Sequence, residues 1–128
     1  MFGYTEDGTP ITNPHEFAAA LKRPERVVGR DSIELENGSI AIWTTHLVTD
    51  SNWTGEGPPL TYETLVQCSG DMPEPVALFD GVRNQYPNRE MARQGHAGMV
   101  QAITAVIAAR HELSQDPGDM DEAGRAGR

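Results

Sequence analysis

Two histidines and two carboxylates form the group of residues in this sequence that is best suited to chemistry. His46 and Glu63 lie in segments that alternate like neighbouring β-strands, and Asp50 follows His46 near a strand end. His96 lies on the apolar stripe of a long predicted helix, which would place it over those strands. Imidazoles and carboxylates can hold a divalent metal ion or run general acid–base catalysis. One hypothesis is therefore a small metal-dependent hydrolase centred on His46, Glu63 and His96.

The alternative interpretation of these groups is structural. A histidine on an apolar helix face is most often a hydrogen-bonded core or interface residue, and Glu63 would then be the partner of His96. The sequence contains no P-loop, dinucleotide-binding glycine turn, nucleophile elbow or HExxH pair. Cys68 is the only cysteine, which excludes an internal disulfide and a thiolate zinc site. These observations favour a protein that is not an enzyme, with no catalytic residue, metal or cofactor.

Aromatic and arginine side chains predict a different kind of site. Four aromatic residues would form the wall of a pocket for a planar ligand: Trp43, Trp53, Tyr62 and Tyr86. One or more of three arginines would contact the anionic groups of that ligand: Arg83, Arg89 or Arg93. This combination suits a protein that sequesters a small nucleotide signal. Trp43 also fits a place in the core, and Trp53 fits either a loop anchor or an exposed binding residue.

The composition limits the partners that this chain can serve. The formal net charge of −9 and the pI of about 4.7 argue against generic binding to nucleic acid or to an anionic membrane. No charged amino-terminal segment precedes an apolar run, and no stretch approaches the ~20 apolar residues that a membrane-spanning helix needs. We therefore expect a cytoplasmic protein.

The amino-terminal third begins with a polar, turn-rich segment and then a helix. With 128 residues the chain has room for one domain, which we place at residues 1–113. Asn13 is a suitable N-cap and Pro14 a suitable first helical residue. The short helix should end near Arg23, because Pro24 disfavours helical geometry in the residue before it.

Three segments then have the alternating pattern of β-strands: residues 27–35, 39–49 and 60–68. Asn37-Gly38 predicts a tight hairpin turn between the first two, because both residues tolerate positive φ. Alternation in the second strand places His46 on one face and Trp43 on the other. The segment at residues 76–86 fits either a fourth strand or a short irregular element.

The longest predicted helix covers residues 89–113, with Asn88 as its N-cap. Its apolar stripe must be covered, so we expect an α+β fold in which an antiparallel meander of three to four strands packs against this C-terminal helix. The small residues Gly95 and Gly98 would allow a close crossing. Residues 114–128 have almost nothing to bury and are predicted to form a disordered, acidic and polar tail.

Two segments contain the pattern GPPLxxET on a loop and strand, followed by Tyr and then by Gly-His on a helix. The positions that carry this pattern are Trp43, Thr44, Gly57, Pro58, Pro59, Leu60, Glu63, Thr64, Val66, Tyr86, Gly95, His96 and Val100. At these positions the chain resembles a family of small uncharacterised proteins of bacteriophages and prophages, especially those of actinobacteria. The resemblance covers a little over half of the chain. It implies a phage accessory protein in the cytoplasm of a bacterial host, without implying a biochemical role.

The preferred hypothesis is a non-catalytic binding or interaction module that uses the loop at residues 50–60 and the neighbouring sheet face. Its partner would be a protein or a small ligand, and the protein itself would form a homo-oligomer. The nucleotide-sequestering protein and the metal-dependent hydrolase are the alternatives. The residues predicted to bind a ligand or partner are Trp43, His46, Trp53, Tyr62, Glu63, Arg89 and His96.

Overall fold

The computed structural model describes residues 1–115, which form two α-helices and six strands. These elements are β1 (Gly3–Tyr4), β2 (Pro10–Ile11), α1 (Pro14–Leu21), β3 (Val27–Leu35), β4 (Gly38–His46), β5 (Tyr62–Gly70), β6 (Arg83–Tyr86) and α2 (Arg89–Gln115). Strands β3, β4, β5 and β6 form one antiparallel sheet in that order, and β1 pairs with β2 in a separate hairpin. The predicted α+β fold, an antiparallel meander with a long C-terminal helix and a short N-terminal one, is confirmed.

Both helices begin at the asparagines that the sequence indicates. Asn13 Oδ1 accepts hydrogen bonds from the backbone N–H groups of His15 and Glu16 at the start of α1. Asn88 Oδ1 accepts one from the N–H of Met91 at the start of α2. The helix α2 continues to Gln115, and the remainder of the predicted tail, residues 116–128, lies outside the described residues. Neither helix combines the length and apolar character needed to cross a membrane.

The hairpin between β3 and β4 turns one residue earlier than predicted. Leu35 pairs with Gly38, so the turn residues are Glu36 and Asn37, and neither Asn37 nor Gly38 has a positive φ. The glycine serves the neighbouring strand instead. A Cβ at Gly38 would lie 2.5 Å from the backbone oxygen of Ser69 in β5, which is a steric overlap. The absence of a side chain therefore allows the end of β4 to approach β5.

The sheet has one face covered by α2 and one face that keeps solvent exposure. The alternation of β4 is confirmed, since Ile42, Thr44 and His46 are buried whereas Trp43 and Thr45 are half-buried on the opposite face. The core between α2 and the sheet consists of Ile40, Ile42, Val66, Val76 and Ile103. We refer below to the α2-covered face as the buried face and to the other as the open face.

The segment that the sequence left undecided contains both of the predicted alternatives. Residues Val76–Phe79 form a single 3₁₀ turn, and β6 follows at residues Arg83–Tyr86. Tyr86 pairs with Tyr62 and Leu65 with Arg83, which makes β6 a short edge strand. The 3₁₀ turn contributes Val76 to the core, and its irregular backbone explains why residues 76–86 show no single periodicity.

Candidate functional site

His96 is at the centre of a hydrogen-bonded chain that joins α2 to the sheet. Its Nε2 lies 2.7 Å from Asp31 Oδ2, and its Nδ1 lies 2.7 Å from Thr44 Oγ1. Thr44 Oγ1 in turn lies 2.5 Å from Thr64 Oγ1 on the neighbouring strand. Because a carboxylate only accepts, Nε2–H donates to Asp31, and in a neutral ring Nδ1 then accepts from the Thr44 hydroxyl. Both ring nitrogens of His96 and both threonine hydroxyls therefore have a hydrogen-bond partner.

The order Asp31–His96–Thr44 resembles the carboxylate–imidazole–hydroxyl order of a nucleophilic triad. Thr44 and Thr64 are completely inaccessible to solvent, and His96 is only 8% exposed. A nucleophile must reach its substrate, so this hydroxyl cannot attack one. The arrangement therefore holds the helix on the sheet, as the structural interpretation of His96 predicts, although its carboxylate partner is Asp31 and not Glu63.

The residue before His96 has to be a glycine for a steric reason. A Cβ at Gly95 would overlap the Tyr86 ring, with 2.2 Å to its Oη atom. A Cβ at Gly98 would have no neighbouring atom within 4 Å. The close crossing predicted at two glycines therefore occurs at Gly95 alone, where α2 approaches β6.

His46 lies at the end of β4 in a different environment. It is 2% exposed, its ring packs against Tyr62 with 4.7 Å between ring centroids, and Arg26 Nε donates to its carbonyl oxygen. Its Nε2 is buried and has no hydrogen-bond partner among the described residues. Burial lowers the pKa of His46. The Glu6 carboxylate opposes this shift, whereas the positive charges of Arg26, Arg89 and Arg23 add to it. The imidazole is therefore neutral at pH 7.

Glu6 reaches His46 from the amino-terminal hairpin that β1 and β2 form. Tyr62 Oη donates to the backbone oxygen of Glu6, and Arg89 Nη1 lies 3.7 Å from Glu6 Oε1. The other carboxylate oxygen, Oε2, is buried and has no partner in the described part of the chain. Burial raises the pKa of the Tyr62 hydroxyl, and the nearby Glu6 carboxylate adds to that effect. Residues 6, 46, 62 and 89 thus form one polar cluster, which we call the His46 cluster.

The backbone beside His46 is strained. Val48 has φ of 73° and is the one non-glycine residue with positive φ in the described chain. It is fully buried, and its carbonyl oxygen accepts a 2.8 Å hydrogen bond from the N–H of Tyr4 in β1. A β-branched residue rarely adopts this conformation, which costs on the order of 1–2 kcal/mol. The amino-terminal hairpin and the burial of the valine hold it in place.

The open face carries an indole, an arginine and an ion pair. The Arg30 guanidinium lies 4.4 Å from the centre of the Trp43 ring, a cation–π contact. Glu63 Oε1 lies 3.2 Å from Arg83 Nη1, and Gln85 also donates to Glu63. A shallow groove of about 260 Å³ runs over this face, lined by Trp43, Thr45, Leu47, Glu63, Leu65 and Gln67.

The predicted grouping of His46, Glu63 and His96 is wrong. Glu63 pairs with Thr45, so its side chain projects to the open face, whereas both histidines lie on the buried face. Asp50 serves the following loop, since its Oδ1 accepts the backbone N–H groups of Asn52 and Leu60. Within residues 1–110, no three histidine, cysteine or acidic side chains gather in a metal-binding arrangement. The metal-dependent alternative therefore lacks an assembled site there.

The predicted aromatic wall does not form either. Trp43 lies on the open face, but Tyr62 is 1% exposed under the other face, and Tyr86 packs against Gly95 of α2. Arg89 contacts Glu25 and Glu6 at the start of α2, away from Trp43. The sheet separates Trp43 from Tyr62 and Tyr86, so these side chains cannot line one pocket around a planar ligand.

Trp53 is the predicted binding residue that solvent reaches most freely, with 91% of its surface exposed. It lies in the loop at residues 47–61, which side chains brace from within. Besides the two bonds to Asp50, Asn52 Nδ2 donates to the carbonyl oxygens of Glu56 at 2.6 Å and Pro58 at 3.0 Å. These bonds fix the loop backbone without the indole, so Trp53 is not its anchor.

Cys68 is the residue that the sequence predicts to be a small buried side chain and not a nucleophile. It packs half-buried against the core. Burial raises the pKa of its thiol, and the Asp80 carboxylate adds to the shift, so the thiolate population is small.

The sequence reasoning missed Glu6, Arg26 and Asp31. Glu6 lies in a polar, turn-rich segment whose strands are only two residues long, which is too short for a periodic signal. Asp31 is on the outer part of β3, where an acidic residue is ordinary. The alternation of side chains along β3 could have indicated its position. Asp31 pairs with the buried Ile42 and therefore projects to the buried face.

Comparison of the chain with protein-family models, curated proteins and solved structures found no match. The resemblance to phage proteins stays a prediction based on the residue pattern. Several residues of that pattern contact one another in the structure. Thr44, Thr64 and His96 are joined by hydrogen bonds, and Gly95 packs against Tyr86.

Proposed function

We propose that this protein is a phage-encoded accessory protein that acts in the host cytoplasm as a non-catalytic binding module. Its contact surface is the loop at residues 47–61 together with the adjoining groove of the open face. The observation that carries this proposal is the 91% exposure of Trp53 on an internally braced loop. The resemblance of residues 43–67 and 86–103 to phage proteins supports the genomic setting.

An exposed indole on a fixed backbone favours recognition. Exposing a large aromatic surface to water is unfavourable, and folding does not require it here because Asp50 and Asn52 already hold the loop. Tryptophan is enriched among the residues that contribute most to protein–protein binding. A loop that is ordered before binding loses little conformational entropy when it docks. Trp53 therefore has the properties of an anchor that inserts into a partner.

The charge of the loop indicates the chemistry of that partner. Residues 47–61 contain Asp50 and Glu56 and no lysine or arginine, and the whole chain has a net charge of −9. The complementary surface is a basic protein face with an apolar recess for the indole. A second copy of this chain is the competing occupant, and it is disfavoured because two such copies repel each other.

The test is photocrosslinking from the loop. The photoreactive residue p-benzoylphenylalanine replaces Trp53 in one protein and Leu78 in a matched control, since Leu78 is also exposed, at 71%, but belongs to the 3₁₀ turn. Both proteins are irradiated in an actinobacterial host lysate, and adducts are identified by mass spectrometry. We expect one main adduct with a basic protein from position 53, which excess unmodified protein suppresses and Trp53→Ala protein does not.

The affinity of the purified partner then completes the test. Trp53→Ala should weaken binding by at least about thirtyfold, the effect of losing 2 kcal/mol at an anchoring residue. It should change the free energy of unfolding by less than about 0.5 kcal/mol, as expected for a surface substitution. Equal labelling from positions 53 and 78 would overturn the proposal. An adduct between two copies, with dimers in sedimentation analysis, would instead assign this surface to a homo-oligomer.

A further inference from the structure

The two edges of the four-stranded sheet differ in length. β6 forms one edge with 4 residues, whereas β3 forms the other with 9. Within the described residues, no strand lies beside the outer edge of β3. Natural proteins protect a long open edge with proline, lysine or a bulge, which prevent another strand from pairing with it. β3 contains neither proline nor lysine, and its bulge lies at its beginning, so residues 30–35 form a regular edge.

The register of the sheet shows which backbone groups of β3 point outward. In antiparallel strands, the N–H and C=O groups of alternate residues point to the same neighbouring strand. Leu47, which follows β4, donates its N–H to Thr61, so the odd-numbered residues of β4 face β5 and the even-numbered ones face β3. The even-numbered residues of β4 pair with odd-numbered residues of β3. The backbone groups of Arg30, Ser32 and Glu34 therefore point away from β4.

The side chains of these three residues make the edge complementary to itself. They are exposed and project to the open face, where Arg30 pairs with Trp43. Arg30 and Glu34 lie at equal distances before and after Ser32. If two copies pair antiparallel about Ser32, Arg30 of each copy lies directly opposite Glu34 of the other. Opposite charges in this position stabilise an antiparallel pair.

The neighbouring registers of the same pairing are less favourable. A pairing centred on Arg30, Asp31 or Glu34 places that residue opposite its own copy, and like charges in this position are destabilising. A pairing centred on Ile33 places Glu34 opposite Ser32 and joins no opposite charges. The charges of β3 therefore select the register centred on Ser32.

We propose that a second copy of this chain pairs with the outer edge of β3 and joins the two sheets into one, with the two-fold axis at Ser32. Arg30, Ser32 and Glu34 each provide one N–H donor and one C=O acceptor, so each copy donates three backbone hydrogen bonds and accepts three. The net charge of −9 opposes the approach of two copies, but salt screens distant charges over about 8 Å at 0.15 M. The opposite charges across the edge lie within that distance.

This edge is separate from the loop at residues 47–61, and the inference does not depend on the proposed function. The loop carries acidic charges alone, so two loops repel each other, whereas the edge carries both signs. The dimer leaves the loop of each copy available to a partner. Trp53→Ala protein should therefore dimerise as the unmodified protein does.

The experiment is sedimentation velocity of the full chain at about 0.15 M salt. The unmodified protein should dimerise with a Kd on the order of 10 µM, as expected for a small interface. Arg30→Glu and Glu34→Arg each place like charges opposite each other twice and should weaken dimerisation by at least about tenfold. The double variant restores opposite pairs and should dimerise within about threefold of the unmodified protein. An equimolar mixture of the two single variants should form a heterodimer for the same reason.

The rescue separates the contact between copies from contacts within one copy. Arg30→Glu also loses the cation–π contact with Trp43, but the double variant loses it too, so that contact cannot account for the rescue. Arg93→Glu and Glu16→Arg are exposed helix substitutions that change the net charge equally, and each should leave dimerisation unchanged. Thermal unfolding verifies that every variant folds.

Two results would overturn the proposal. One is unmodified protein that stays monomeric up to about 500 µM, well above the expected Kd. The other is a dimer that the single substitutions leave intact, or that neither the double variant nor the mixture restores, because either outcome would exclude the pairing of Arg30 with Glu34 of the second copy.

Discussion

His96 and His46 lie under the same face of one sheet, yet their surroundings differ in almost every respect. His96 has both ring nitrogens in hydrogen bonds, to Asp31 and Thr44. His46 is more deeply buried and lines a small cavity, but its Nε2 has no partner within residues 1–110. Burial alone therefore does not tell a structural histidine from a candidate binding one. The distinction lies in whether the chain itself completes the hydrogen bonds of the ring.

The same substitution at both histidines should separate these roles most clearly. His96→Leu should lower the free energy of unfolding by about 3 kcal/mol, because it leaves Asp31 and the buried threonine hydroxyls without their partner. His46→Leu should change it by less than about 1 kcal/mol, since the lost nitrogen has no bond in the described chain. Urea denaturation at neutral pH measures both, with the exposed His15→Leu as control. Equal losses at the two sites would refute the distinction.

A pair of glycine substitutions on α2 tests how tightly the His96 side is packed. Gly95→Ala should destabilise the protein by about 2 kcal/mol, because the methyl group would displace the Tyr86 ring. Gly98→Ala should stabilise it by about 0.8 kcal/mol, since alanine favours the helix and meets no neighbouring atom. Thermal unfolding compares the two proteins. The comparison fails if both substitutions shift the stability in the same direction.

The His46 side is distinguished by backbone strain at Val48, which two substitutions can reveal. Both Val48→Gly and Val48→Ala lose the buried valine side chain, but only glycine adopts a φ of 73° without steric cost. Val48→Gly should therefore be more stable than Val48→Ala by about 1 kcal/mol. In an ordinary strand or helix the order is reversed. Denaturant midpoints decide between them, and an alanine variant that is the more stable would show that the strain is absent.

The pH dependence of stability offers the finest comparison. Burial, Arg26, Arg89 and Arg23 lower the pKa of His46 below its ordinary value of 6.5, against the opposing effect of Glu6. The unfolded chain therefore takes up a proton more readily than the folded one, so the stability from this residue is complete above pH 6.5 and is lost as the pH falls below it. His46→Leu should remove that part of the pH dependence. An unchanged slope in this variant would contradict the assignment.

Local patterns in the sequence were sufficient for most of the fold. Asn13 and Asn88 mark the helix starts, and alternation in β4 separates Trp43 from His46. These features depend on residues that are close together in the chain. The turn at Glu36 and Asn37 was not predicted, because Gly38 is required by the close approach of β5 and not by the turn. The residue preferences of hairpin turns do not include such contacts with a third strand.

The candidate sites required information that no local pattern contains. Whether Glu63 joins His96 depends on the register between two strands, and a shift by one residue reverses its face. The proximity of Glu6 to His46 depends on where the two-residue strand β1 docks, and β1 is bonded to β2 and, through the N–H of Tyr4, to Val48. The exposure of Trp53 follows from Asp50 and Asn52 closing the loop, which composition alone does not reveal.

The contacts that hold the amino-terminal hairpin have a consequence for hydrogen exchange. Besides the burial of Ile11, the hairpin joins the rest of the described chain through the bond from Tyr4 N–H to Val48, the bond from Tyr62 to Glu6, and the ion pair with Arg89. Such a segment can detach while the four-stranded sheet stays intact. The amide proton of Tyr4 should then exchange with deuterium much faster than that of Val66, whose release requires the core itself to open.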